Sequence, residues 1–401
     1  MASRMTGRVA AVAAAVSVAA LAIALALVAS GNTASPSAGP AKPSTPPASS
    51  ETQQQTHPVA VAKPRPLRPG ESRMKLRMAS TFTPSAPNGV GTDDYRCFLL
   101  DPHLTQDRFL TGTTVLPDNP NVVHHVILFR ADPDQVAAAK QLDAKDPGEG
   151  WTCFGDSGLP NSNDLDDAPW LGAWAPGSRE SVDSPGYGVP LPAGSQIVMQ
   201  VHYNLLAGAG PDRSAALLRL APPSARLTPI ETMLLPAPVE LPCRRGHRDN
   251  PLCNRTASIA DVVQRFGAVG QTDNWLNVLC GEQRNTEVTT CTRTIQEPTT
   301  IRAVAGHMHL LGRSIKVQVD PGTPRARTIL DIKVWDFDNQ VARQIKPVPL
   351  QPGETVKVTC RHVQWLRDQL PAFHGQPDRY VVWGEGTTDE MCLGILAVTH
   401  P

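Results

Sequence analysis

The sequence predicts an all-β protein with two tandem β-sandwich domains. Short apolar runs of strand length recur along the chain, and turn signals such as LPDNP, PLPAGS and LQPGET separate them. Proline and glycine are frequent and long helical periods are rare, which favours sheets packed on sheets. About 330 of the 401 residues follow an N-terminal tether. That length exceeds what one hydrophobic core usually organises, so two domains are expected.

The same patterns predict the individual helices and strands and the boundary between the two domains. Two helices are predicted, at residues 133–142 and near 258–265. A proline-rich break, LAPPSARLTP, lies near the middle of the folded part. It predicts an N-terminal domain over residues 72–223 and a C-terminal domain over residues 224–401. Strands are predicted at residues 122–129, 195–203, 217–220, 301–305, 314–319, 355–359, 380–384 and 392–398.

Residues 1–30 are predicted to be a signal peptide or a signal anchor. Arg4 and Arg8 precede an apolar run at residues 9–29. The run is long for a cleaved signal and close to the lower limit for a spanning helix, so cleavage and retention both stay open. Either outcome predicts an extracytoplasmic protein, secreted or attached to the outer face of the cytoplasmic membrane through residues 9–29.

Residues 31–71 are predicted to be a disordered linker, because small, polar and proline residues cannot bury a core. The net charge of the chain is zero and no basic block follows the linker, which argues against nucleic acid as a partner. The eight cysteines form no CxxC pair, which argues against a zinc ribbon. An even number behind an export signal predicts four disulfides, whose connectivity the spacing leaves open.

Five of the eleven histidines lie in or beside strand-like apolar runs, where an unsatisfied imidazole is costly. NVVHHVILFR holds His124 and His125, QIVMQVHYN holds His202, and GHMHLLG holds His307 and His309. Metal ligation would satisfy them, because imidazole suits copper, zinc, iron and nickel. The alternative is that each histidine bonds to a backbone carbonyl.

The spacing sets two conditions on a metal site. Residues i and i+2 of a strand share a face, so His307 and His309 can bind one metal together. Adjacent residues face opposite ways, so His124 and His125 can do so only if the backbone is distorted there. Met391, at the start of another apolar run, would pack in the core in an ordinary strand. Beside two imidazoles, its thioether would favour Cu(I) over zinc.

Five short motifs follow one another along the chain: YRCFLL at 95–100, VVHHVILF at 122–129, QVHYN at 200–204, HMHLLGR at 307–313 and DEMC at 389–392. In this order, they resemble the copper type II, ascorbate-dependent monooxygenases, the family of peptidylglycine α-hydroxylating monooxygenase and dopamine β-monooxygenase. The resemblance extends over most of residues 72–400. Each motif is short, but all five hold the expected type of residue.

The resemblance implies two β-sandwiches of jelly-roll type with one copper ion in each, facing each other across a solvent-filled cleft. It implies hydroxylation of a C–H bond with O2 and two electrons from ascorbate or another reductant. Met308 should point away from the metal, and Gln200 is a candidate to support His202. The implied ligands are His124, His125 and His202 for the first, electron-transfer copper, and His307, His309 and Met391 for the second, catalytic copper.

The resemblance also implies disulfides Cys97–Cys153 and Cys360–Cys392. Proximity in sequence suggests the other two pairs, Cys243–Cys253 and Cys280–Cys291.

The chain departs from the peptide-hydroxylating branch at three positions. That branch has Arg two residues before the first histidine of the second site, and Asn and Tyr two and four residues after the ligand Met. Here these positions are Ala305, Leu393 and Ile395. A small apolar substrate is therefore expected rather than a peptide carboxylate. The alternatives are a non-catalytic extracytoplasmic copper-binding protein and an adhesion module that binds no metal.

Overall fold

The computed structural model describes residues 63–86, 91–160, 164–176 and 178–401. In this part of the chain, strands dominate and form four sheets that pair into two β-sandwiches. The predicted all-β class is confirmed. The predicted signal segment 1–30 and residues 31–62 of the predicted linker lie outside the described residues. None of the helices in the described ranges is long and apolar enough to cross a membrane.

The N-terminal sandwich contains one sheet in the order β1-β10-β3-β8-β11, with β7 beside β3, and a second in the order β5-β2-β9-β4-β6. Neighbours are antiparallel except β8 and β11. Its strands are β1 (Ser72–Arg77), β2 (Asp93–Leu100), β3 (Arg108–Leu116), β4 (Val123–Ala131), β5 (Trp151–Thr152), β6 (Trp170–Trp174), β7 (Ser181–Val182), β8 (Tyr187–Leu191), β9 (Gln196–Asn204), β10 (Ala215–Leu220) and β11 (Thr228–Pro229).

The C-terminal sandwich contains one sheet in the order β12-β19-β14-β17 and a second in the order β13-β18-β15-β16. In the sheets, its strands pair only with one another, so the change of sheet partners falls between Pro229 and Glu231, beside the proline-rich break. Thr232 also makes an isolated bridge to Ala168 of the N-terminal half. The strands are β12 (Glu231–Pro236), β13 (Val288–Thr294), β14 (Thr299–His307), β15 (Gly312–Val319), β16 (Arg327–Ile332), β17 (Arg343–Leu350), β18 (Thr355–His362) and β19 (Leu393–Thr399).

Strand β9 shows how the N-terminal core positions a functional residue. Ile197, Met199, Val201 and Tyr203 alternate along it and pack in the core between the two sheets. Because side chains alternate across a strand, the remaining residues face the opposite side of the sheet. His202 is one of them and is only 1% exposed.

Both predicted helices are present, as α1 (Val136–Asp143) and α2 (Arg255–Phe266), and a third, α3 (Thr272–Cys280), follows. The predicted strand at residues 380–384 is wrong. Val382 and Trp383 are buried, but this segment makes isolated bridges rather than a ladder, so its apolar character reflects burial alone. Short 3-10 turns occur at Pro251–Cys253, Gly267–Gln271, Gln364–Asp368 and Pro371–Phe373.

The linker prediction does not hold for residues 63–71, which bond to the N-terminal sandwich. The Arg219 side chain, 2% exposed, pairs with Glu71 at 2.5 Å and donates to the carbonyl of Pro66 at 2.8 Å. The backbone N–H of Arg65 also donates to Glu180. A buried arginine needs such partners, so the proline-rich composition marks an irregular but fixed segment here.

All eight cysteines lie in the described ranges and are paired. The disulfides are the four expected pairs, Cys97–Cys153, Cys243–Cys253, Cys280–Cys291 and Cys360–Cys392. Four disulfides fit an extracytoplasmic protein, because thiols stay reduced in the cytosol.

Candidate metal centre

A β-bulge brings three histidines of the N-terminal sandwich together. Strand β4 pairs Val123 with Tyr203 and then His125 with His202, so His124 is the extra residue. The bulge is the backbone distortion that the HH pair requires to aim both side chains at one point. The Nδ1 atom of His124 lies 3.2 Å from Nδ1 of His125 and 3.3 Å from Nδ1 of His202. The Nδ1 atoms of His125 and His202 are 3.3 Å apart.

This triangle of nitrogen atoms, the first histidine group, fits a metal ion. The centre of a triangle with sides of 3.2, 3.3 and 3.3 Å is about 1.9 Å from each corner, close to the roughly 2.0–2.1 Å of a zinc–imidazole bond. Burial and the neighbouring imidazoles hold the pKa values of His124 and His125 well below the usual value. Their rings are therefore neutral at physiological pH, the state in which imidazole ligates metals.

A buried carboxylate supports this group. Nε2 of His202 donates to Oδ1 of Asp93 at 2.8 Å, and Asp93 is 5% exposed. Because a carboxylate only accepts, the proton is on Nε2 and the lone pair of His202 is on Nδ1, inside the triangle. Burial alone would raise the pKa of Asp93, but hydrogen bonds from His202 and Thr387 outweigh it and lower the pKa. Tyr95 stacks on the His202 ring, with centroids 4.1 Å apart.

Gln200, expected to support His202, lies on the same face of β9 but bonds elsewhere. Its Nε2 donates to the carbonyl of Asp156 at 2.8 Å and lies 3.7 Å from Sγ of Cys153. Within the described part of the chain, Asp93 and not Gln200 makes the hydrogen bond to His202.

The second histidine group, His307 and His309, lies at the end of β14. Nδ1 of His307 donates to Oε1 of Gln340 at 2.6 Å, which leaves the lone pair on Nε2. Burial lowers the pKa of His307 to about 3, so this ring is neutral as well. His309 is 1% exposed, and neither of its ring nitrogens has a hydrogen-bond partner among the described residues. A buried imidazole without hydrogen-bond partners is costly, and a bound metal ion would satisfy one of its ring nitrogens.

Met391 is positioned beside this group by strand register. His307 pairs with Leu393 in the ladder between β14 and β19. The ladder ends at this pair, and a continuation of its antiparallel register by two residues would put Met391 opposite His309. Glu390 holds the two segments together, because its Oε2 accepts from the backbone N–H of His309 at 2.9 Å and of Met391 at 3.3 Å. Met308, between the two histidines, is buried in the core of the C-terminal sandwich.

The expected solvent-filled cleft between the two groups is wrong for this structure. The rings of His125 and His307 have centroids 5.8 Å apart, so the groups are in contact. Residues 333–342, here called the covering loop, connect β16 and β17 over the histidines. The Phe337 ring of this loop stacks on His124 at 4.6 Å and lies 6.3 Å from His309. Side chains from the C-terminal sandwich therefore fill the space beside the first group.

The three predicted pocket residues lie next to His307. Ala305 pairs with Ile395, and His307 pairs with Leu393. Directly paired residues project to the same face of a sheet, so all four share one face. Leu393 packs with Met391 in a small apolar cluster to which Ile395 also contributes.

Sequence reasoning missed four residues of the site: Asp93, Phe337, Gln340 and Thr387. Asp93 had a local signal, because TDD directly precedes the YRCFLL motif. The other three lie far from the motifs that they contact, and no spacing rule connects them.

No known protein-family profile matches the chain, and no curated protein matches it. The similar solved structures are remote. A fucolectin from striped bass (Morone saxatilis) is 9% identical over 78% of this chain and 85% of its own, with a TM-score of 0.20. A xanthan lyase from Paenibacillus is 12% identical over 80% of this chain and 25% of its own, with a TM-score of 0.19. An allantoicase is 14% identical over 67% of this chain and 74% of its own, with a TM-score of 0.16. Similarity this low carries no argument about function.

Proposed function

We propose that this protein is an exported dicopper monooxygenase that hydroxylates a C–H bond of a small apolar substrate. One observation carries the proposal: five histidines converge as two adjacent groups, and Glu390 holds the backbone of Met391 next to that of His309 in the second group. Five imidazoles in contact, two of them buried and three half-buried, are hard to explain by packing alone. The motif order that resembles the copper monooxygenases supports the same function.

The donor sets fit copper. His124, His125 and His202 would hold one ion through imidazole nitrogens, which suit both of its oxidation states. His307, His309 and Met391 would hold the other, and the soft thioether favours Cu(I). When bound, two copper ions supply the one-electron steps through which O2 and two electrons from ascorbate or another reductant hydroxylate a substrate.

The chain's own residues prepare this chemistry. Asp93 and Gln340 fix the tautomers of His202 and His307, so that each ring presents a lone pair. Ala305, Leu393 and Ile395 offer an apolar surface beside His307, which would bind an apolar substrate by excluding water.

Copper content and oxygen uptake of the full-length protein test the proposal. We expect about two coppers per chain, as the two donor sets imply, and reductant-dependent oxygen uptake. His202→Ala and Met391→Ala should each lose one copper and the uptake. His374→Ala is the matched control, since His374 is exposed and outside both groups. Parental uptake in both ligand variants would contradict the proposal.

A non-catalytic copper-binding protein is the second candidate. The two groups are in contact and Phe337 stacks on His124. This closed arrangement favours the second candidate, because a protein that only stores copper needs no path for a substrate. Two coppers per chain without oxygen uptake, under any reductant and with a broad panel of apolar substrates, would select this function. A chain that binds no copper would exclude both, and would leave an adhesion module.

A further inference from the structure

One segment of the C-terminal half bonds to the residues that support the first histidine group and to the backbone of the second. Residues 384–391, here called the bridging segment, begin at Gly384 and end at the candidate ligand Met391. Midway along it, the backbone N–H of Thr387 donates to Oδ1 of Asp93 at 3.1 Å, and the Thr387 hydroxyl donates to the same oxygen at 2.5 Å. Asp93 is the carboxylate that accepts from His202. The first group thus has a supporting contact from 294 residues away in sequence.

The direction of these hydrogen bonds is fixed. Nδ2 of Asn204 lies 3.3 Å from the Thr387 hydroxyl oxygen and can only donate to it. The Thr387 hydroxyl therefore uses its own proton for Asp93, which in turn accepts from Nε2 of His202. Thr387 is 1% exposed and Asp93 is 5% exposed, so solvent does not compete for these bonds.

The segment also reaches the other side of His202. The Tyr95 hydroxyl donates to the carbonyl of Glu385 at 2.7 Å, and the same Tyr95 ring stacks on His202. The edge of the His202 ring bonds to Asp93 and its face stacks on Tyr95. The bridging segment bonds to both of these residues.

The bridging segment is held rigidly. Asp389 accepts two hydrogen bonds from Arg265, at 2.6 and 2.7 Å, and one from the backbone N–H of Gly386 at 3.1 Å. A Cβ atom on Gly386 would lie 2.8 Å from the Asp389 carboxylate, so a side chain there would disturb this packing. Three residues separate Thr387 from Met391 along this segment.

We propose that Thr387 is a positioning residue for the first metal group, acting through Asp93 on His202, and that the bridging segment links metal binding at the two groups. The inference rests on the proposed copper chemistry and adds to it a residue and a coupling. Without the hydroxyl, Asp93 loses a hydrogen bond that holds its oxygen toward His202. The first group then binds metal less tightly although all three of its ligands remain.

Copper(II) titration of the full-length protein tests the positioning role, with the hyperfine coupling of the first-group Cu(II) signal as a second readout. Thr387→Val keeps the shape and the backbone N–H but removes the hydroxyl. We expect roughly 10-fold weaker binding at the first group and an altered spectrum, in the range found for outer partners of metal ligands. Thr387→Ser should restore both. Thr289→Val is the matched control, since Thr289 is 1% exposed and its hydroxyl has no partner among the described residues.

Asp93→Asn is a second, independent test of the positioning role, and it does not require Thr387→Val to fold. It should weaken binding at the first group in the same direction, and adding Thr387→Val to it should cost little more, because both act through one hydrogen-bonded chain. Parental affinity and spectrum in Thr387→Val, or in Asp93→Asn, would overturn the positioning role.

The coupling has its own test. Filling the second group with Cu(I) should change the Cu(II) affinity of the first group by about fivefold or more in the parent, and by less in Thr387→Val. An equal change in both proteins would overturn the coupling. A parent that binds no copper at the first group would instead refute the proposed function.

Discussion

The two histidine groups differ in how completely the fold prepares them. In the first, three Nδ1 atoms already form a triangle with sides of 3.2–3.3 Å, and a buried carboxylate fixes one ring. In the second, a strand end supplies two imidazoles, a neutral amide fixes one, and His309 has no partner among the described residues. The first group already has the spacing of a metal site. Under the proposed function, the second needs Met391 as its third ligand.

The difference follows from the backbone beneath each group. The first is built on a bulge in β4 against the central strand β9, which is buried on both faces. The second begins where β14 ends, so His309 is held by Glu390 rather than by a strand ladder. Sites on regular strands are positioned more tightly than sites beyond them. Under the proposed function, the first group would hold the copper that keeps its ligands while it changes oxidation state, and the second would hold the copper that leaves room for O2.

The largest expected effect is the loss of a first-group ligand. His125→Ala removes one corner of the triangle and should weaken Cu(II) binding there by more than about 100-fold, since losing only an outer partner costs about 10–100-fold. Binding of Cu(I) at the second group should persist. Competition titration with chelators of known affinity, for each oxidation state, measures both. Equal losses at both groups would mean that they form one site rather than two.

The next effect separates the groups by oxidation state. Met391→Leu keeps the apolar volume but removes the thioether, and should weaken Cu(I) binding at the second group by roughly tenfold. Cu(II) binding at the first group, measured while the second group is empty, should stay unchanged. Met308→Leu is the matched control, since Met308 is buried in the core beside the same histidines. X-ray absorption of the Cu(I) protein should lose its sulfur contribution in Met391→Leu only. An unchanged sulfur contribution would remove Met391 from the ligand set.

The parts of the site that were readable in the sequence are those set by local pattern. The HH pair requires a backbone distortion if both histidines are to meet at one point, and the bulge in β4 supplies it. Composition predicted local structure less reliably than these sequence patterns did. It placed residues 63–71 in a linker although Glu71 neutralises a buried arginine, and it placed a strand at residues 380–384.

The relation between the two groups was not predictable. Their contact depends on the covering loop and the bridging segment, in which Phe337 and Thr387 meet partners on the other sandwich. Such contacts depend on how two finished sandwiches approach each other, and neither periodicity nor motif spacing contains that information. The expected open cleft failed for this reason.

A smaller effect is expected from the amide support of the second group. Gln340→Leu removes the acceptor that fixes the His307 tautomer, so metal binding there should weaken by roughly tenfold. The first group, held by Asp93, should not respond. Asn339→Leu, at an exposed position in the same loop, is the control for general disturbance. If Gln340→Leu weakens both groups equally, the loop stabilises the whole centre rather than one ligand.

Phe337 is expected to have the smallest effect on copper affinity and the largest effect on the rate at which copper leaves the site. This ring donates no ligand, so Phe337→Ala should change copper affinity at either group by less than about threefold, far below the effect of losing a ligand's partner. It covers the ring of His124, however, and its removal opens the space beside both groups to solvent. Copper should then pass to an external chelator faster at equal affinity, in a stopped-flow measurement. Val334→Ala, at a position 65% exposed in the same loop, should release copper at the parental rate. If Phe337→Ala also releases copper at that rate, the covering loop does not control access, and the contact between the two groups must open by another movement before a substrate can reach His307.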